Sequence, residues 1–328
     1  MRRLIVGVDI GGTNVVVGIL PEDGSSIHGV NAEPTKLTAG PDGALAQINR
    51  MVRKSLQETT EELGSGSFEV IGVGIGAPGP LDRSSGTVIV SPNLGWSNTP
   101  LRDLISEAVE RPATLENDAN CAIYGEWWRG AAKGGRVVVG LTIGTGVGGG
   151  IVIDGEIFHG ASDAAGEIGH ASIDTTGRRC KCGNYGCLEA YAAGPAIAAR
   201  AIEGIEAGAR TKLLDYVDGD LTGVTAKIIA QAAIDGDHYC LDVIRETAHL
   251  LGSAVANLVN IFNPDIVVIC GGVTKTGEHL LEPLRIQVVR RAFEPSVAAC
   301  RIVPGALPGT AGVYGAVAAF LAQKAKAV

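Results

Sequence analysis

The stretch from Glu167 to Glu189, EIGHASIDTTGRRCKCGNYGCLE, gathers His170, Cys180, Cys182 and Cys187 into one short span. Three thiolates and one imidazole make a closed tetrahedral shell that zinc accepts, with no open position for a substrate, so the metal would be structural. Closing that shell folds the segment on itself and draws Glu167 and Glu189, at its two ends, toward one place. Ionised carboxylates offer only acceptors, which suits a polyhydroxylated ligand rich in donors. A disulfide or scattered core thiols are the alternatives. The chain has seven Cys, an odd number, and its start, MRRLIVGVDI, runs straight into a strand with no secretory signal. Both features favour metal over disulfides and a cytoplasmic setting. His159, further upstream, is a second candidate for the imidazole.

At 328 residues the chain is long enough for one large or two ordinary domains. No apolar run free of charge reaches the ~18–20 residues of a membrane span. A net charge of −8, with no Lys/Arg cluster, argues against a nucleic-acid surface. Glycine is the outlier, at 47 residues, about twice the ~7% of ordinary chains. Its clusters mark tight turns and close backbone approach to ligands.

Leu4 to Asp9 and Val15 to Leu20 read as two strands joined by a tight turn at Gly11-Gly12-Thr13. Backbone N–H groups of such a turn can approach an anion, Thr13 adds a hydroxyl, and Asp9 at the strand's end can hold a hydrated Mg²⁺. An ordinary Gly-Gly hairpin with Asp9 as a turn residue fits equally well. The buried strand Phe68 to Ile75 empties into GAPGPL. In the extended loop SPNLGW that follows, Asn93 either bonds sugar hydroxyls or makes a local Asx turn. A short strand from Pro112 ends at Glu116-Asn117-Asp118, and a helix runs from Ala119 to about Arg129. Asp118 stands where an N-cap belongs, and the same junction can hold a catalytic acid rigidly at a strand's C-terminal edge.

Val137 to Ile143 is a β-rich run that leads into GTGVGGG. Gly144, Gly146 and Gly149 match G-x-G-x-x-G, but the β-branched run Ile151 to Ile153 follows where a dinucleotide site needs a helix. The segment reads as a strand–turn–strand phosphate loop. Helical periodicity covers residues 195–207, 224–235 and 239–262, the last stopped by Asn263-Pro264. The strand Asp265 to Cys270 ends in a third glycine turn, Gly271-Gly272, which either lets an adenine ring lie on the backbone or simply joins strand to helix. An amphipathic helix from Gly312 to Ala325 closes the chain.

In this order DIGGTN (Asp9–Asn14), END (Glu116–Asp118), GTGVGGG (Gly144–Gly150), GEIGH (Gly166–His170) and CKCGNYGCLE (Cys180–Glu189) resemble the ROK family of bacterial sugar kinases and related repressors. The likeness covers nearly the whole chain, and SPNLGW fits the ATP-dependent glucokinase branch. The resemblance implies an α/β, actin-like ATPase (ribonuclease H-like) fold of two domains with an active-site cleft between them. Residues 1–117 plus 312–328 would form one domain and 118–311 the other. It implies ATP, Mg²⁺, structural Zn²⁺ and a homodimer or homotetramer, while the charge and hydropathy noted above point to no nucleic-acid or membrane partner. Carried onto this chain, Asp118 is the catalytic base. Gly79, Asn93, Asn117, Asp118, Glu167, His170 and Glu189 bind the sugar, while His170, Cys180, Cys182 and Cys187 bind zinc. Asp9, Gly11, Gly12, Thr13, Asn14, Gly144, Thr145, Gly146, Gly271 and Gly272 form the nucleotide cradle. One departure is Asn14, where many members have Lys; a backbone N–H remains but the charge is lost. N-acetylmannosamine, N-acetylglucosamine, fructose and mannose are alternative acceptors, and polyphosphate or ADP alternative donors. A sugar-sensing repressor would need a DNA-binding helical domain ahead of the first strand, and this chain enters that strand at Leu4.

Overall fold

The structure is a computed structural model in which residues 1–35, 40–91 and 94–326 are described. It divides into two compact units, residues 1–134, 150–166 and 306–328 in one and 135–149 and 167–305 in the other.

In the first unit β1 (Arg2–Ile10), β2 (Asn14–Pro21) and β3 (His28–Pro34) form an antiparallel meander, followed by α1 (Gly40–Leu63) and β4 (Phe68–Ala77). Three short strands come next, β5 (Leu81–Asp82), β6 (Thr87–Ser91) and β7 (Trp96–Thr99), then α2 (Leu101–Val109), β8 (Ala113–Asn117) and α3 (Asp118–Arg129). The main sheet has the order β3-β2-β1-β4-β8, with β1, β4 and β8 parallel. Residues Leu4 to Val8 of β1 are buried without alternation, because both faces of the sheet are covered. On one face Ile48, Met51 and Val52 of α1 pack with Val6, Val8 and Ile75. On the other, Ile5 and Leu20 meet Val313, Val317 and Phe320 of the last helix. That helix comes so close that a Cβ at Gly74 would lie 2.0 Å from the Ala316 carbonyl oxygen. β5, β6 and β7 make a separate antiparallel sheet. The loop expected at SPNLGW therefore ends in a strand, anchored by Trp96 at 1% exposure. Four residues are too few to show period-two alternation.

The second sheet runs β11-β10-β9-β12-β13, from β9 (Val137–Ile143), β10 (Val147–Ile153), β11 (Glu156–Ile157), β12 (Ile266–Gly271) and β13 (Arg301–Pro304). The chain passes from one unit to the other within β10. Between β11 and β12 lie α4 (Glu189–Ala192), α5 (Gly194–Glu206), α6 (Ala226–Ile234) and α7 (His238–Phe262); α8 (Glu278–Arg291) and α9 (Glu294–Ala299) precede β13, and α10 (Ala311–Lys326) ends the chain. β12 is parallel to both β9 and β13. Along α7, Leu251, Val255, Leu258 and Val259 are buried as the spacing predicts, while Leu250 and Phe262 are only partly so. Asn263 stops α7 in the left-handed region, with φ of 44°, which Asn tolerates, and the following Pro cannot continue the helix. Helix α3, placed at the head of the second domain by the sequence reading, groups here with the first unit. Both sheets share one order: a three-stranded meander followed by two parallel strands. That repeat is the α/β, actin-like architecture. Among the described residues no helix is long and apolar enough to cross a membrane.

Candidate active site

Parallel register lines up the chemistry of the first unit. Asp9 of β1 stands opposite Gly76 of β4, and Gly76 opposite Glu116 of β8. Three strands thus end together, and Asn117 and Asp118 follow at their C-terminal edge. Asp9 retains some accessible surface, but Gly312 of α10 crowds its carboxylate, since a Cβ there would fall 2.2 Å from Oδ2. Burial pushes the Asp9 carboxyl up to about 7, and the negative charge of Asp118 adds to the rise. Two carboxylates held in this way invite a cation.

The sequence expectation at the β8–α3 junction changes in one respect. Asn117, not Asp118, is the N-cap; its side-chain oxygen accepts from the N–H of Ala119 and of Asn120. Asp118 is consequently the first helical residue, partly exposed, with Oδ1 accepting from Ala119 N–H at 2.9 Å. Gly11 to Thr13 form the expected hairpin turn, with Gly11 N–H donating to the Asn14 carbonyl at 2.9 Å. Thr13 and Asn14 are exposed and Gly11 and Gly12 half-buried. Gly79 has φ of +101°, and a Cβ there would lie 2.3 Å from the Val90 carbonyl oxygen; only glycine fits. Asn93 lies outside the described residues.

The second unit collects the other candidates. β9 and β12 pair Ile143 with Gly271, so the turn at Gly144 and the turn at Gly271-Gly272 stand side by side. Gly271 has φ of +112°, and a Cβ on it would meet the Ile143 carbonyl at 2.0 Å, whereas Gly144 and Gly272 face open space. Gly144 N–H donates to the Gly146 carbonyl at 2.9 Å, closing the turn around exposed Thr145. Glu189 Oε2 accepts the Val147 N–H at 3.0 Å, and a Cβ on Gly146 would come within 2.5 Å of that oxygen. The glycine loop and the acid closing the thiol segment are thus joined by one carboxylate. Glu167 is exposed and precedes a short 3₁₀ turn, Ile168 to His170.

His170, Cys180, Cys182 and Cys187 do converge, their ligand atoms all within 4.8 Å of one another. Cys182 Sγ lies 3.7 Å from Cys187 Sγ, and Cys180 Sγ lies 3.8 Å from His170 Nδ1. Thiolates ~2.3 Å from a tetrahedral zinc stand about 3.8 Å apart, so the donor set fits that ion. A disulfide needs ~2.05 Å, and all seven cysteines are free thiols. Burial, then the neighbouring sulfurs, push the Cys187 thiol up to about 12.

His159 does not join this cluster. Its Nε2 donates to Glu116 Oε2 at 2.8 Å. Glu116, 2% exposed, also forms an ion pair with Arg83 Nε at 2.9 Å. Although burial alone would raise it, the His159 hydrogen bond and the Arg83 charge hold the Glu116 carboxyl below the usual range. The sequence reading gave Glu116 no role beyond its place in END. Its partners are distant in the chain, and only an acid at the end of an apolar strand hinted at it.

A model of the ROK family matches residues 5–324. A glucokinase of Halalkalibacterium halodurans is 39% identical over 86% of this chain and 84% of its own. A xylose repressor of Caldicellulosiruptor bescii is 33% identical over 97% of this chain and 78% of its own. Among solved structures, a ROK family glucokinase from Streptomyces griseus in complex with glucose and AMPPNP superposes with a TM-score of 0.83 at 34% identity, covering 98% of this chain and 99% of that one.

Proposed function

The chain belongs to the ROK family, and from that membership we propose that it is a glucokinase, transferring the γ-phosphoryl of ATP to the 6-hydroxyl of glucose. One observation carries the reading: the likeness, over nearly the full length of both chains, to a glucokinase holding glucose and AMPPNP. The O6–phosphorus bond forms as the bond from phosphorus to the β,γ-bridging oxygen breaks, and ADP leaves. Such transfer passes through a loose transition state, so positioning and charge neutralisation do most of the work.

In this reading Asp118 takes the proton of the 6-hydroxyl, a contribution of ~10²–10⁴-fold. It stands at the first turn of α3, where one of its oxygens accepts Ala119 N–H and fixes the carboxylate at the helix start. Asn117, Asn93, Glu167, His170, Glu189 and the backbone at Gly79 orient the ring. Nucleotide phosphates lie on the turns at Gly11 to Asn14 and Gly144 to Gly146, with the base against Gly271-Gly272. Asp9 would hold the Mg²⁺ that accompanies ATP, and that ion supplies charge neutralisation on the phosphates. Zinc on His170, Cys180, Cys182 and Cys187 would brace the segment between Glu167 and Glu189.

Initial rates with ATP and equal concentrations of glucose, N-acetylmannosamine, N-acetylglucosamine, fructose and mannose test the reading. Glucose should be fastest; a higher rate with any other sugar, or no transfer to any, overturns it.

A further inference from the structure

We propose that Glu116 is a positioning residue for the phosphoryl-acceptor site, holding Asp118 in place through a buried hub shared with Arg83 and His159. The proposal rests on the kinase reading above. Its basis is how the four lone-pair sites of one carboxylate are used. Glu116 Oε1 accepts the Asn117 N–H at 3.0 Å and Asn120 Nδ2 at 3.1 Å. Asp118 lies between those residues, so its backbone is bracketed on both sides by the same oxygen. Oε2 accepts from His159 and faces Arg83, and Arg83 Nη1 reaches Asp163 Oδ1 at 3.4 Å.

Three pieces of chain therefore meet on one buried acid. The first is END itself. The second is the loop that carries Gly79 and continues to Arg83. The third is the segment from His159 to Asp163. With Oε1 and Oε2 both engaged, Glu116 has nothing left to offer a substrate. It acts through Asn117 and Asn120, and a displacement of about 1 Å at a reacting group can cost ~10²-fold in rate. A purely structural ion pair would affect stability instead and leave the kinetic constants alone.

Glu116→Gln keeps the shape and one acceptor oxygen but removes the charge facing Arg83 and His159. Expected outcomes are a kcat for glucose lowered ~10–100-fold, an ATP KM within about twofold of the parent, and faster amide exchange at Asn117 to Cys121. His159→Phe alters a side chain 21% exposed and should fold even where Glu116→Gln does not. It should lower kcat in the same direction, ~3–10-fold, by removing one hydrogen bond to a charged group. In an Asp118→Asn background, Glu116→Gln should cost no further turnover, since no base remains to be misplaced. Turnover within twofold of the parent in both single variants overturns the proposal, and so does an equal loss with and without Asp118. If the parent phosphorylates no sugar, the kinase reading has failed, and amide exchange decides alone: unchanged rates at Asn117 to Cys121 in Glu116→Gln reject the positioning role.

Discussion

Asp9 titrates near neutrality because it is crowded by α10 and faces a second acid. The consequence for stability has a definite sign. Below about pH 4 the folded and unfolded chains both hold the proton, and Asp9 contributes nothing. Between about pH 4 and 7 the folded state alone keeps it, so stability of the ligand-free protein falls as pH rises, and the penalty is complete above about 7. Asp9→Asn should therefore match the parent in urea unfolding near pH 4 and exceed it at pH 8, while losing Mg²⁺-dependent turnover. A parent no less stable than the variant at pH 8 would sink the argument. Asp118 is tested by rate. Asp118→Asn should lower kcat ~10²–10⁴-fold, the worth of a general base, and a variant within tenfold of the parent rejects the assignment. The residue types of this site were readable in the sequence, but their pairings were not. An Asn and an Asp side by side before a helix both make good caps, and only backbone geometry shows that Asn117 takes the role. Likewise His159 stood as a second candidate behind His170, and only its bond to Glu116, far off in the chain, takes it out of the shell.

Elements were most legible where pattern and length agreed. The strand Val137–Ile143 and the long helix His238–Phe262 fall where the pattern puts them. The three-stranded sheet at β5, β6 and β7 did not show, because its strands are too short to alternate. Glycine was read only as turn and ligand chemistry, yet Gly74 and Gly315 serve packing: a Cβ on Gly315 would lie 1.6 Å from the Cys121 carbonyl. Gly146 is different, since the atom a Cβ would strike is the end of a side chain, Glu189 Oε2. Gly146→Ala should fold but push Glu189 aside, freeing the Val147 N–H. Losing a hydrogen bond to a charged group is worth ~1.5–3 kcal/mol, so KM for both glucose and ATP should rise about tenfold or more. A rise in one constant alone would show that the carboxylate serves a single ligand. The thiol segment makes its own prediction. Metal analysis should find about one zinc per chain, and chelation should abolish turnover and speed amide exchange from Glu167 to Glu189. A metal-free protein at full activity excludes the zinc.

At the scale of the molecule, the repeat of one strand order in two sheets could not be read from the sequence, which shows no internal repeat. Order depends on pairing, and pairing is long-range. What the sequence did carry was the order of the motifs, and three of them, DIGGTN, END and GTGVGGG, stand at strand ends, where parallel strands collect ligands. If the chain binds sugar and nucleotide as proposed, both must stabilise the folded state by mass action, by ~2.7 kcal/mol at a hundred times Kd. For domains of this size that is about 5–10 °C in Tm. Thermal unfolding with glucose should show this shift at millimolar sugar, and N-acetylmannosamine should give less. Asp118→Asn should keep most of the glucose shift while losing turnover, because a base acts on the proton and contributes little to holding the ring. If the variant loses shift and turnover together, Asp118 binds the sugar more than it moves a proton, and catalysis must be assigned to another group.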